Sequence, residues 1–241
     1  MSQYFEELDH QVTPLGPVTL SRRRMPLLGD EPVFEIKLND EFLMSSAYFG
    51  SEVALASLGL KAVREPGPLN VVVGGLGLGF TAKEALRDDR VGQLAVIEFL
   101  EPVIDWHRRG LVPLGRELNE DPRCRFVHQD FFARARHPSE GMDPENPSLL
   151  FDAVLLDIDH SPTHYLNPTH AGFYEYAGLE RFAQKLTAGG VFALWSNDPP
   201  EDAFLRRLRE VFPVVASHVV SFPNPLRDEE ARCSVYVAVK G

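Results

Sequence analysis

The rhythm of apolar and polar positions changes once along the chain, near residue 65. Before that point the pattern has a period of two. Phe34, Ile36 and Leu38 alternate with Glu35 and Lys37, as expected for a half-buried strand over Val33–Leu38. Asn39-Asp40 supplies a turn after it. Val12–Leu20 is also β-like but is interrupted by Pro14, Gly16 and Pro17. Ala47–Val63 carries Val53, Leu55, Ala56, Leu58 and Leu60 as the apolar positions of a helix, with Gly50 and Gly59 weighing against it. Arg64-Glu65-Pro66-Gly67-Pro68 is stiff and polar and marks a boundary. The pattern therefore predicts a β-rich segment with a connecting helix at residues 1–64 and a second domain at residues 65–241.

Beyond the boundary, strand-like and helix-like segments alternate. The predicted strands are Asn70–Val73, Gln93–Glu98, Arg125–His128, Phe151–Asp157 and Val191–Trp195. The predicted helices are Thr81–Asp88, Pro102–Gly110, Gly172–Leu186 and Glu201–Val211. Such alternation predicts a mostly parallel sheet covered by helices on both faces. Val214–Phe222 and Cys233–Val239 have only Pro223–Arg232 between them, which predicts a C-terminal antiparallel strand closing the sheet. Arg136–Ser148, broken by Pro138, Gly141, Pro144 and Pro147, reads as a surface loop. The fold class is α/β and Rossmann-like.

Composition narrows the function. The chain has 241 residues, 44% hydrophobic and 24% charged, with a net charge of −11. That balance argues against nucleic acid or an anionic membrane as partner, because phosphates are met by basic faces. It would tolerate a cationic substrate such as an amine, although many soluble cytosolic proteins are simply acidic, which is the plainer reading. No apolar run approaches the roughly 20 residues of a membrane helix, and the acidic start, Met1–His10, is unlike a signal peptide; a cytoplasmic location is expected. The two cysteines, Cys124 and Cys233, lie in no zinc-ligand spacing. A single disulfide between them stays open at this point.

The candidate chemistry sits at strand ends. Val71-Val72-Val73 runs into Gly74-Gly75-Leu76-Gly77-Leu78-Gly79-Phe80. Glycines let the backbone approach a ligand, and the following helix offers free N–H groups. A dinucleotide fingerprint fits only in its relaxed form, through Gly77, Gly79 and Ala82, with three extra residues after the strand. Glu98 ends the second strand, where an acid can accept from both hydroxyls of a ribose; Phe99 follows it. Asp130 follows the third strand and can accept from an adenine amino group, with Phe131 against the ring. Either acid could instead be a helix cap. Asp157 ends the apolar fourth strand, where partial desolvation raises a carboxyl pKa and suits it to accept a proton. Asp159 and His160 are close enough to couple to it. His160, His164 and His170 with two carboxylates could also hold a metal, although polar loop residues are the plainer reading, and no metal is expected.

The pattern resembles the class I S-adenosylmethionine-dependent fold and, within it, the spermidine synthase (aminopropyltransferase) family. The resemblance rests on the glycine loop with Lys83-Glu84 after it, Glu98, Asp130, Asp157 and Gly189-Gly190-Val191, and it extends to the N-terminal β-rich segment. It implies a seven-stranded sheet and a transferase whose co-substrate is S-adenosylmethionine or its decarboxylated form. Gly75, Gly77 and Gly79 would approach the methionine-derived part, Glu98 the ribose, Asp130 the adenine, and Asp157 the reacting centre. The implied acceptor is a small molecule of the polyamine class, and a homodimer is compatible with it. Three positions depart from the family. Leu78 stands where an acid receives the aminopropyl amine. Asp157-Ile158-Asp159-His160-Ser161-Pro162 replaces Asp-Ser-Ser/Thr-Asp-Pro. A Tyr-Gln pair is missing around Ser51-Glu52. Aminopropyl transfer to an amine, methyl transfer to a small molecule, and nucleoside binding without catalysis all remain open on these residues.

Overall fold

The computed structural model describes residues 5–29, 31–39, 41–223 and 230–241. Asp40 of the expected turn and most of the Pro223–Arg232 connection lie outside the described residues. The first four strands, β1 (Phe5–Thr13), β2 (Gly16–Arg24), β3 (Pro32–Leu38) and β4 (Glu41–Ser45), form an antiparallel sheet in chain order. Pro14 and Gly16, read as interruptions of one strand, instead turn the chain between two. Thr13 pairs with Gly16 across the hairpin, Gly16 has φ +113°, and Asn39 Nδ2 donates to Leu15 O at 2.7 Å. On β3 the alternation holds for Ile36 and Leu38 but fails at Glu35. Glu35 is buried and paired with Arg23.

Helix α1 (Gly50–Ala62) connects the two sheets. Gly59, which weighed against a helix, is what lets α1 lie flat on the second sheet. A Cβ there would stand 2.5 Å from Leu155 Cδ2 and 3.0 Å from Ala193 Cβ.

The second sheet has seven strands: β5 (Leu69–Gly74), β6 (Val91–Glu98), β7 (Cys124–His128), β8 (Phe151–Leu156), β9 (Leu186–Ser196), β10 (Val214–Pro223) and β11 (Glu230–Val239). Their order is β10-β11-β9-β8-β5-β6-β7. The pairs from β7 through β9 are parallel, whereas β11 runs antiparallel to both of its neighbours. This is the expected mostly parallel sheet with an antiparallel C-terminal strand. The central strands β5 and β8 are buried almost throughout, as continuous apolar strands covered on both faces should be.

Six helices follow α1: α2 (Phe80–Ala85), α3 (Glu101–Arg108), α4 (Gly115–Glu120), α5 (Phe131–Arg136), α6 (Tyr176–Ala183) and α7 (Asp202–Val211). Residues of α1 to α4 share one core with the N-terminal sheet, and α5, α6 and α7 form the core on the other face. The sequence did not announce α4 and α5, each six residues long, too short for a clear helical period. The helix expected over Gly172–Leu186 is split. Pro168–Phe173 is a 3-10 turn, and α6 starts only at Tyr176. The irregular stretch after α5 is pinned rather than free. Met142 is fully buried, Arg125 reaches the buried Asp143 at 2.7 Å, and Lys185 Nζ donates to His137 O and Glu140 O. Cys124 and Cys233 are both free thiols. Among the described residues no helix is long and apolar enough to cross a membrane.

Candidate active site

The order β8-β5-β6 places the change of winding direction between β5 and β8, where open α/β sheets bind ligands at their carboxyl ends. A cavity of about 490 Å³ opens there, within the range of small-molecule sites. Its floor comes from the ends of β5, β6, β7 and β8. Its roof comes from the N-terminal sheet, through Ile36, Leu38, Phe42 and Met44, and from the start of α1.

The glycine loop is shaped by backbone that other residues adopt poorly. Gly75, Gly77 and Gly79 have φ of +91°, +48° and +93°. A Cβ on Gly75 would sit 2.2 Å from the carbonyl oxygen of Asp157, so only glycine lets β5 and β8 close at this point. His107, fully buried on α3, steadies the loop, with Nε2 2.9 Å from Gly77 O. Burial drives its pKa down to about 4, so the ring is neutral, and because a carbonyl only accepts, Nε2 carries the proton. Gly75 and Gly77 line the cavity, but Gly79, expected beside them, does not; it faces Leu118 and His107. Leu78 is completely buried and also lies outside the lining.

Glu98 stands at the end of β6, nine-tenths buried, with its carboxylate against the loop. It accepts from Leu76 N at 2.9 Å and Leu100 N at 2.7 Å. Burial pushes its pKa up while these N–H groups pull it down. Phe99, partly exposed, lines the cavity beside it. Asp130 caps α5, accepting from Ala133 N at 3.0 Å, and also lines the cavity with Phe131. Cap and cavity wall are thus compatible roles for the same carboxylate.

Asp157 lies deep in the cavity, where Thr81 Oγ1 donates to its Oδ2 at 2.8 Å. Burial raises its pKa to about 6. Facing it is a residue the sequence reading did not select, Glu52, in the first turn of α1. Glu52 is buried, receives a short hydrogen bond from Ser51 Oγ, and has its pKa raised to about 7 by burial and by the charge of Asp157. The signal was present. Ser51, Glu52, Leu55, Ala56, Gly59 and Leu60 are the buried positions of α1 and follow the helical repeat, which puts an acid on the packed face.

The other two expected catalytic residues part company. His160 lines the cavity, its ring against that of His164 at 4.9 Å. Asp159 does not line it. Its buried carboxylate accepts from Leu166 N at 2.8 Å, His170 Nδ1 at 2.9 Å and Tyr174 OH at 2.9 Å. These partners turn Asp159 away from Asp157. Of the three histidines considered as metal ligands, His160 and His164 lie ring to ring while His170 is bound to Asp159, and among the described residues no group of three or more His, Cys, Asp or Glu is placed to hold a metal.

Four carboxylates therefore line the cavity: Glu52, Glu98, Asp130 and Asp157. No lysine or arginine is among the described residues that line it.

No protein-family model matches the chain. It is similar to polyamine aminopropyltransferase from Pyrobaculum islandicum, 24% identical over 220 residues, covering 89% of this chain and 72% of that protein. It is 28% identical over 167 residues to polyamine aminopropyltransferase 2 from Pseudomonas aeruginosa, covering 65% of this chain and 43% of that one. A shorter match, 26% over 152 residues, is to putrescine N-methyltransferase 4 of Nicotiana tabacum, covering 61% and 36%. Among solved structures, spermidine synthase in complex with the transition state analogue AdoDATO superposes with a TM-score of 0.72 at 21% identity, over 98% of this chain and 74% of that one. Spermidine synthase from Thermotoga maritima gives 0.71 at 21% identity, over 98% and 73%. The fold is that of spermidine synthases, N-terminal sheet included.

Proposed function

We propose that this chain, a spermidine synthase-like protein by fold and by sequence similarity, is a transferase that moves an aminopropyl group from decarboxylated S-adenosylmethionine to an amine of the polyamine class. The observation that carries the reading is the charge of the cavity wall. Four carboxylates and, among the described residues, no lysine or arginine suit a sulfonium and an ammonium. Among the described residues, the wall offers no lysine or arginine to the carboxylate that distinguishes S-adenosylmethionine from its decarboxylated form. In addition, Leu78 N–H, a loop donor that could have met that carboxylate, is taken by Met44 Sδ at 2.8 Å.

The residues divide the work by position. Glu98, at the end of the second parallel strand, takes the ribose hydroxyls; Asp130 and Phe131 take the adenine. The carbon bonded to the sulfonium is already activated, so the protein must hold a neutral nitrogen in line with it and accept a proton. The C–N bond forms as the C–S bond breaks, and the electron pair of that bond stays on sulfur, leaving the neutral thioether 5′-methylthioadenosine. The proton from the attacking nitrogen goes to Asp157, whose raised pKa suits the task. Glu52, opposite, faces the positive charge of the acceptor. His160 lines the same cavity.

The test is incubation of the purified protein with each donor and a pool of di- and polyamines, followed by chromatography of the nucleoside product. 5′-Methylthioadenosine with a lengthened amine is the expected outcome. S-adenosylhomocysteine alone would mean methyl transfer, and no product with either donor would leave a nucleoside-binding protein without catalysis.

A further inference from the structure

We infer that Thr81 is a positioning residue for the transfer step, whose hydroxyl orients the Asp157 carboxylate for the attacking nitrogen and governs how readily that carboxylate takes the proton. This rests on the transferase reading given above and adds to it a residue that acts through Asp157.

Several observations meet at the start of α2. Thr81 is the second residue of that helix, is buried, and lines the cavity. Its Oγ1 donates to Asp157 Oδ2 at 2.8 Å, across 76 residues of chain. A threonine in a helix commonly turns its hydroxyl back to a carbonyl three or four residues earlier. Four residues before Thr81 is Gly77, whose carbonyl already accepts from His107 Nε2 at 2.9 Å. Branching at Cβ leaves threonine few side-chain rotamers in a helix, which keeps the hydroxyl on its partner in β8. The start of α2 is itself held in place. The ring of Phe80 stacks on that of Phe49, centroids 4.4 Å apart and planes 8° from parallel. Phe49 immediately precedes α1, whose first turn carries Glu52. The stack therefore ties the element that carries Thr81 to the element that carries Glu52.

A hydroxyl bound to one carboxylate oxygen does two things. It sets the plane of the carboxylate, and a carboxylate, with about four lone-pair sites on its two oxygens, can accept from a second donor at the same time. A base held in one orientation against the reacting atom is worth large factors in rate. The hydroxyl also favours the ionised carboxylate. Burial raises the pKa of Asp157 to about 6, and the bond from Thr81 acts against that rise. Without it the carboxyl would keep its own proton to higher pH and be able to accept one only there. The other titratable groups that bear on Asp157 are Glu52 from α1 and Cys233 from β11. The thiol, raised by burial to a pKa of about 11, is neutral. His160, on the loop after β8, lines the same cavity. Glu52 is the acid coupled to Asp157, so its contribution has to be separated from that of Thr81.

The experiment compares Thr81→Val, which keeps the shape and loses the hydroxyl, with Thr81→Ser, which keeps the hydroxyl, in the full chain and again combined with Glu52→Gln. Turnover of decarboxylated S-adenosylmethionine with a diamine is followed as a function of pH. Thr81→Val should lower turnover at saturation by about tenfold. It should also move the acid limb of the profile upward by about one pH unit, the size of a hydrogen bond to a charged group. Both effects should persist in the Glu52→Gln background, and affinity for 5′-methylthioadenosine should change little. Thr81→Ser should restore both. A second readout needs no activity. The fall of the empty protein's melting temperature with pH should extend to higher pH in Thr81→Val, because a carboxyl with a higher folded pKa releases its proton later. Thr81→Ala supplies the same comparison if valine does not fit. An acid limb and a melting profile that stay in place without the hydroxyl, or a loss that serine does not restore, overturn the role of Thr81. Absence of 5′-methylthioadenosine from the wild-type reaction overturns the transferase reading instead, and the melting profile then still decides whether Thr81 governs Asp157.

Discussion

The sulfur of Met44 accepts the backbone N–H of Leu78 at 2.8 Å, so a side chain of the N-terminal sheet closes onto the glycine loop of the parallel sheet. The contact requires a bare backbone beside it, since a Cβ on Gly77 would lie 2.3 Å from the same sulfur. Gly77→Ala should therefore destabilise the protein on two counts. The left-handed backbone costs roughly 1–2 kcal/mol for a residue with a Cβ, and the displaced methionine adds to it. Met44→Ala should relieve only the second count. A double-mutant cycle followed by thermal unfolding is expected to show coupling of at least about 0.5 kcal/mol between the two positions. Simple additivity would mean that the sheet and the loop are independent.

Asp157→Asn removes the proton acceptor while leaving an atom of the same size beside Thr81. Turnover should fall by about 100-fold or more, the usual contribution of a positioned base. Donor binding, followed by calorimetry, should change little. An equal loss in donor affinity and in turnover would make Asp157 a binding residue and remove it from the chemical step.

The pair Glu52–Asp157 gives the empty protein a pH dependence of definite sign. Both folded pKa values, about 7 and about 6, lie above the values of 4.5 and 3.8 for the free side chains. The folded state therefore holds protons that the unfolded state has released. The corresponding stability is fully present below pH 4 and is lost as pH rises through 6 to 7. The melting temperature of the empty protein should fall between pH 5 and pH 8, with a shallower fall in Glu52→Gln, which should melt above the wild type at pH 8. A cationic diamine, by favouring the charged carboxylates, should flatten the wild-type slope. A wild-type melting temperature that rises over the same interval would contradict the burial of this pair.

Glu98→Gln should cost stability and affinity together. Glu98 already accepts two backbone N–H groups, from Leu76 and Leu100, before any ribose arrives. Losing the charge of a buried acceptor weakens each of those bonds, by about 1–3 kcal/mol in all, and the melting temperature of the empty protein should drop. The dissociation constant for 5′-methylthioadenosine should rise by about tenfold or more as well. A variant with the wild-type melting temperature would show that the loop does not need the carboxylate.

The parallel sheet and the three acids at its strand ends were legible in the sequence, because a buried strand followed by a polar residue is a local signal. Glu52 and Asp159 were not, for opposite reasons. Glu52 reads locally as an acid in the first turn of a helix, and only the packing of α1 on β8 and β9 carries it to Asp157. Asp159 sits two residues from Asp157 and invites the inference that they act together. The chain turns between them, and Asp159 is bound to His170 and Tyr174, 11 and 15 residues further on. Loop geometry of that kind has no period to betray it. The N-terminal hairpin was missed because Pro14 and Gly16 look the same whether they break one strand or join two.

The acidic wall of the cavity also bears on what leaves it. On the proposed chemistry the nucleoside enters with a sulfonium charge and departs as a neutral thioether, so the attraction that drew it in lapses when the C–S bond breaks. The amine has the reverse history and gains a nitrogen that can be protonated. On that chemistry Glu52 and Asp157 would hold the product amine more firmly than the spent nucleoside, and departure of the amine is expected to pace each cycle. Salt screens such attraction between partly solvated charges. Raising the ionic strength should accordingly slow capture at low amine concentration and hasten turnover at saturation.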